Sequence, residues 1–149
     1  NVLATLCDMT IAADTAQMGQ VGPKVGSVDA GWGTAYLARI VGEKKAREIW
    51  YMCRRYTAQE ALEMGLVNKV VPADQLQAEV AEWCETIKQH SPTAMALAKR
   101  SFNADSESIR GISGFALHAV KMYYDTDESK EGVNAFNEKR TPDFHKFVE

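Results

Sequence analysis

Apolar and polar positions follow two rhythms along the chain, and the change between them falls near Pro72–Asp74. Before it the pattern is irregular and punctuated by turns. Residues 2–7 are apolar and predict a short helix or strand; Met9–Ala13 reads as a buried strand, and Asp14-Thr15 as a turn. Gln17–Gln20 predicts a short extended piece. Tyr36, Leu37, Ile40 and Val41 recur at helical spacing, in a helix that Gly42 is placed to end. Ala46, Ile49, Trp50 and Cys53 share one face of a helix from Lys44 to Cys53. Thr57-Ala58-Gln59-Glu60 is a capping box opening a short helix that stops at Gly65. Leu66–Val71 predicts a strand closed by Pro72.

After the change the pattern is helix upon helix. Leu76, Val80, Trp83 and Ile87 form one apolar stripe. Ser91-Pro92 reads as an N-cap with proline at the first helical position, in a helix running to about Phe102. Ile109, Ile112, Ala116, Ala119 and Tyr123 form a third stripe. Asp125–Glu128 opens a last helix ending near Lys139, before Thr141-Pro142, and Phe144 and Phe147 are free to dock on a neighbour. The pattern thus predicts a mixed α/β part over 1–72 and an all-helical part over 73–149. There are more apolar stripes in the second part than one subunit can bury, which predicts self-association.

Composition narrows the partners. With 17 Lys and Arg against 20 Asp and Glu, the net charge of −3 offers no basic surplus for nucleic acid or an anionic membrane. No apolar run reaches the length of a membrane span. Cys7, Cys53 and Cys84 have no metal or redox spacing and read as buried, reduced thiols of a cytoplasmic protein. His90, His118 and His145 are scattered, so no metal site is expected. The first residues are apolar without a preceding charged region, which reads as the middle of a core element rather than a signal peptide.

The stretch Gly19–Gly33 holds five of the ten glycines and runs into a helix N-terminus, a common place to hold an anionic group. Ser27 and Asp29 are its polar candidates, for a ligand or for capping the helix that follows. Trp50 reads as core, with an indole N–H that needs a partner when buried.

Taken together, Cys7-Asp8 with the strand after it, Ala16–Gln20, Thr57…Ala61…Gly65-Leu66-Val67 and Glu131-Gly132…Ala135-Phe136…Lys139-Arg140 resemble the crotonase (enoyl-CoA hydratase/isomerase) superfamily. The resemblance is to the C-terminal half of such proteins. It implies the C-terminal part of a ββα spiral core followed by a helical oligomerisation region, in a trimer or dimer of trimers. Gly22–Ser27, Asp29–Gly33, Lys44–Trp50 and Asn134–Asn137 are most similar to the 1,4-dihydroxy-2-naphthoyl-CoA synthase branch, of menaquinone and phylloquinone biosynthesis. Val2 and Gly22 stand where hydratases of the superfamily carry two glutamates, so simple hydration is not expected.

That resemblance implies ring closure of o-succinylbenzoyl-CoA by an intramolecular Claisen (Dieckmann) condensation. The chemistry needs an oxyanion hole, a base, and donors to the carboxyl that is attacked. The chain starts just after the position of the family's glycine-rich oxyanion segment. Glycine at 22 resembles the bicarbonate-dependent branch, in which Gln20, Val21, Gly22 and Trp50 would hold the anion. That branch often has threonine where Val21 stands. Ser27 resembles the donor to the substrate carboxylate and Asp29 the acidic residue that relays protons there. Tyr124 matches a tyrosine reaching the reacting region, and also reads as a plain interface aromatic. Phe136 and Lys139 would meet the adenine and phosphate end of coenzyme A. The alternatives are another acyl-CoA enzyme of the same fold (a hydrolase or isomerase), or a catalytically silent assembly fragment.

Overall fold

The computed structural model describes residues 1–148. Among the described residues nine helices and four short strands occur in the order α1 (Val2–Leu6), β1 (Ile11–Ala13), β2 (Gln17–Met18), α2 (Ala35–Val41), α3 (Glu43–Met52), β3 (Tyr56–Thr57), α4 (Ala58–Glu63), β4 (Lys69–Val71), α5 (Leu76–Lys88), α6 (Pro92–Ala104), α7 (Glu107–Arg110), α8 (Ile112–Tyr124) and α9 (Asp127–Glu138). Short 3-10 turns lie at Pro23–Val25, Ala73–Gln75 and His145–Phe147. β1 pairs in parallel with β4, Ala12 opposite Val70, and β2 pairs antiparallel with β3, Met18 opposite Tyr56. The mixed α/β core followed by helices is the class that the sequence pattern predicts.

The core gathers where α2, α3 and α4 meet these strands. Leu37, Ile49, Trp50, Tyr56, Ala58, Ala61, Leu66 and Val67 are its buried members. α3 buries Ala46, Ile49 and Trp50, the three inward positions of its stripe. The capping box at Thr57 forms in full, Thr57 Oγ1 accepting from the Glu60 N–H and the Glu60 carboxylate from the Thr57 N–H.

Three expectations change. The strand expected over Leu66–Val71 is reduced to β4. The Leu66 and Val67 amides instead donate to the Ala61 carbonyl at 2.8 and 3.3 Å, completing the C-terminal end of α4. A buried helix terminus and a buried strand both give a continuous apolar run. The third stripe is divided at Gly111, a poor helix former, into α7 and α8. The cysteines are not buried: Cys7 and Cys84 are exposed and Cys53 is half-buried, because the end of α1 and the outer face of α5 lie outside the core.

α5 and α9 return to the α/β part, α5 against β1 and α9 against the Pro23–Val25 turn. α6 has no buried residue. Ion pairs Lys99–Asp8 and Arg39–Asp105 tether it. Met95, Leu97, Phe102, Phe115, Leu117 and Met122 are exposed on α6 and α8. Among the described residues no helix is long and apolar enough to cross a membrane.

Candidate active site

Gln20, Val21, Gly22, Ser27 and Asp29, singled out in the sequence, lie on the loop between β2 and α2. Its first bend is the Pro23–Val25 turn. There the Gly22 carbonyl accepts from the Val25 N–H at 3.0 Å and the Ser27 N–H at 2.9 Å. Gly26 sits at φ 71°, a left-handed conformation that favours glycine, and a Cβ there would come within 2.6 Å of the Ser129 carbonyl oxygen. The second bend is closed by Asp29. Its carboxylate accepts from the Gly33 N–H at 2.9 Å, the Thr34 N–H at 2.9 Å and the Thr34 hydroxyl at 2.7 Å. Asp29 therefore holds the entry into α2, and it also lines a cavity of about 400 Å³.

That cavity brings together Val2 from α1, Gln20 and Gly22 from the loop, and Trp50 from α3. Val2 and Gly22, which the resemblance set opposite two hydratase glutamates, thus line one space and bring no titratable group to it. The Gln20 amide nitrogen is buried and has no hydrogen-bond partner among the described residues. An orphaned donor of this kind suits an oxyanion. The space beside Gly22 is narrow: a Cβ there would stand 3.0 Å from the Ser27 carbonyl oxygen and 3.2 Å from the Trp50 ring.

Trp50 departs from expectation. Its indole N–H donates to the Gly33 carbonyl at 2.7 Å, so it is not a free third donor toward Gly22. The buried face of α3 carries the ring to a loop carbonyl that itself needs a donor, and the indole supplies one. Trp50 meets the cavity with its ring edge.

A second cavity of about 700 Å³ adjoins the first through Val21, Val25 and Ser27. It is lined from the C-terminal helices by Tyr124, Val133 and Phe136. At the junction the Ser27 and Tyr124 hydroxyl oxygens are 2.7 Å apart, either able to donate. The pair joins residues 97 positions apart in sequence and leaves one hydroxyl proton to face a ligand. Lys139 lies outside both cavities as the exposed C-cap of α9, at φ 55°.

Sequence reasoning missed what holds this junction. Ser129 Oγ donates to the Gly26 carbonyl at 2.8 Å, in a buried position. A Cβ on Gly132 would fall 2.4 Å from Gly26 Cα, so helix and loop meet backbone to backbone. The available signal was a glycine inside an otherwise regular helix, which marks close packing. Next to Gly132 on α9, the buried Glu131 carboxylate accepts from the Arg140 guanidinium, the Asp143 N–H and the Lys146 ammonium. The Arg140 hydrogen bonds foremost, then those of Asp143 and Lys146, hold the Glu131 carboxyl well below the usual carboxylate range. The same pairing raises the Arg140 guanidinium above its ordinary value.

Residues 1–146 match the enoyl-CoA hydratase/isomerase family. An enoyl-CoA hydratase from Mycobacterium avium subsp. paratuberculosis K-10 has a similar structure, at TM-score 0.90 and 28% identity over 96% of this chain and 58% of that one. So has a carnitinyl-CoA hydratase from Mycobacterium avium, at TM-score 0.87 and 26% identity, covering 95% and 56%. A methylmalonyl-CoA decarboxylase in complex with 2-nitronate-propionyl-CoA gives TM-score 0.81 and 27% identity over 96% and 56%. The chain spans just over half the length of these structures. With the loop, the two adjoining cavities and the match along nearly its whole length, the chain belongs to the enoyl-CoA hydratase/isomerase (crotonase) family.

Proposed function

We propose that this chain carries part of the site of a 1,4-dihydroxy-2-naphthoyl-CoA synthase, which closes the second ring of o-succinylbenzoyl-CoA. The observation that carries the reading is that Val2 and Gly22 line one cavity and bring no carboxylate to it, with the Ser27–Tyr124 hydroxyl pair at its border. Hydration needs groups there that activate water and return a proton. Claisen closure needs a deprotonated carbon beside the thioester and hydrogen-bond donors on the carboxyl that it attacks. The new carbon–carbon bond forms at that carboxyl carbon, and one carboxyl oxygen leaves as water.

Ser27 and Tyr124 are suited to donate to that carboxyl. Asp29, which accepts three hydrogen bonds, is suited to orient the loop and to relay protons beside it. Bicarbonate, when bound, supplies the base. The orphaned Gln20 amide fits such an anion, with the Gly22 N–H and Val21 backbone beside it, while Trp50 contributes only its ring. Phe136 and the exposed Lys139 are proposed for the coenzyme A end. The apolar faces of α6 and α8 are proposed to assemble trimers or dimers of trimers, visible by sedimentation at micromolar concentration.

A second reading, an acyl-CoA decarboxylase, is favoured by the same lack of a carboxylate at Val2 and Gly22, because loss of carbon dioxide generates a thioester enolate without a base. Similarity to methylmalonyl-CoA decarboxylase supports it. The two separate on substrate. Full-length protein given o-succinylbenzoyl-CoA should form the naphthoyl thioester, seen by absorbance and mass. Release of carbon dioxide from a malonyl-type thioester, with no naphthoyl product, would replace the first reading by the second.

A further inference from the structure

α8 and α9 grip the glycine-rich loop at three points. Gly31 lies against Ala116, where an added Cβ would come within 2.8 Å of the alanine methyl. Ser27 and Tyr124 share their hydrogen bond. Gly26 is locked between Ser129 and Gly132, with the Ser129 hydroxyl donating to its carbonyl.

These points are unequal. The Ser27–Tyr124 bond is exposed, and Tyr124 is 50% accessible, so solvent competes for both hydroxyls. The Ser129–Gly26 bond is buried, and Ser129 is 3% accessible. Gly26 immediately precedes Ser27, and Ser129 lies five residues beyond Tyr124 across a corner that is itself tied. Thr126 Oγ1 donates to the Tyr123 carbonyl at 2.6 Å and accepts from the Ser129 N–H at 3.2 Å. One buried hydroxyl therefore stands at the join of the two segments that carry the exposed pair.

We infer that Ser129 is a positioning residue: its hydrogen bond to the Gly26 carbonyl sets the separation and direction of the Ser27 and Tyr124 hydroxyls. The functional part rests on the reading proposed above; the geometric part does not. Ser129 does not approach the substrate carboxyl itself. It removes the loop's freedom to draw Ser27 away from Tyr124, and a reacting group misplaced by a fraction of an ångström loses rate.

The test uses the full-length protein with Ser129→Ala, with Tyr124→Phe, and with both. Amide hydrogen exchange is the first readout. Ser129→Ala should speed exchange at residues 24–28 at least tenfold, on the order of a local opening, and leave α3 unchanged. Steady-state turnover of o-succinylbenzoyl-CoA is the second. Ser129→Ala should lower kcat about tenfold with KM nearly unchanged, and the loss should vanish in the Tyr124→Phe background. Ser129→Cys, which keeps a weak donor of similar size, should recover part of the rate. Unchanged exchange at residues 24–28 would overturn the geometric claim. Losses that multiply independently in the double variant would overturn the functional one. If the protein does not turn over this substrate, the proposed activity fails and the exchange result still decides the positioning claim.

Discussion

Two sets of glycines show how differently the halves of this molecule are finished. At Gly26 and Gly132 a single added methyl group would collide with backbone at 2.6 and 2.4 Å. At Gly111 and Gly114, beside and within α8, it would meet nothing within 4 Å. The loop region is closed against its own neighbours and its geometry is determined within one chain. The α6–α8 region touches the rest of the chain at few points, such as Ala116 against Gly31, and presents Leu97, Phe102, Phe115 and Met122 outward. The lesson concerns where precision resides: Ser27 and the orphaned Gln20 amide belong to the packed part, Tyr124 reaches it from the end of α8, and the apolar surplus belongs to the open part.

The contrast breaks most sharply at Gly132. Gly132→Ala forces a methyl into Gly26, and backbone cannot swing aside as a side chain does. It should destabilise the fold by about 3 kcal/mol, as overpacking of a tight site does, measured by urea unfolding. Near-normal stability would mean that the loop and α9 can separate freely.

Tyr124→Phe probes the exposed end of the same clamp. It should lower kcat on the order of 10²-fold, the cost of a lost transition-state hydrogen bond, with coenzyme A binding little changed. A kcat within a factor of about two would correspond to only tenths of a kcal/mol and leave Tyr124 as packing.

Glu131→Gln tests the anchorage of the C-terminal tail on α9 through pH. Its carboxyl is held below its unfolded value, so the stabilisation is fully present above the ordinary carboxylate pKa of about 4.3 and is lost as pH falls through the folded value. The variant should be less stable than the wild type at neutral pH, and the gap should narrow below about pH 4. A gap that is constant from neutral pH to pH 3 would show that the charge does not matter. At the small end, Gly114→Ala should stabilise the isolated chain by up to about 1 kcal/mol through helix propensity. A loss that appears only in the assembled protein would place a neighbouring surface against α8.

Much of this was legible in the sequence because local rules suffice for it. The capping box at Thr57, the Ser91 cap with Pro92 and the stop at Gly42 depend only on near neighbours, and all three stand where local rules put them. Asp29 was legible as a capping residue or a site residue, and its three hydrogen bonds and its place in the cavity show that one carboxylate serves the loop and faces the space together. What could not be read depends on contacts distant in sequence. Leu66 and Val67 looked like strand because burial, not periodicity, selects their apolar side chains. The partner that the Trp50 N–H needs could not be named, because the acceptor, Gly33, is 17 residues away. Ser129 and Glu131 carry no local signal, since their partners are the Gly26 carbonyl and the Arg140–Lys146 tail.

The most direct measurement is the rate of o-succinylbenzoyl-CoA turnover by the full-length protein in buffer stripped of carbon dioxide, with and without added bicarbonate. With Val2 and Gly22 bringing no carboxylate to the cavity, and with the Asp29 carboxylate that lines it engaged at three donors, activity should fall to a small fraction in stripped buffer and return on adding bicarbonate. Full activity in rigorously stripped buffer would contradict the account and return the base role to a side chain, with Asp29 first in line.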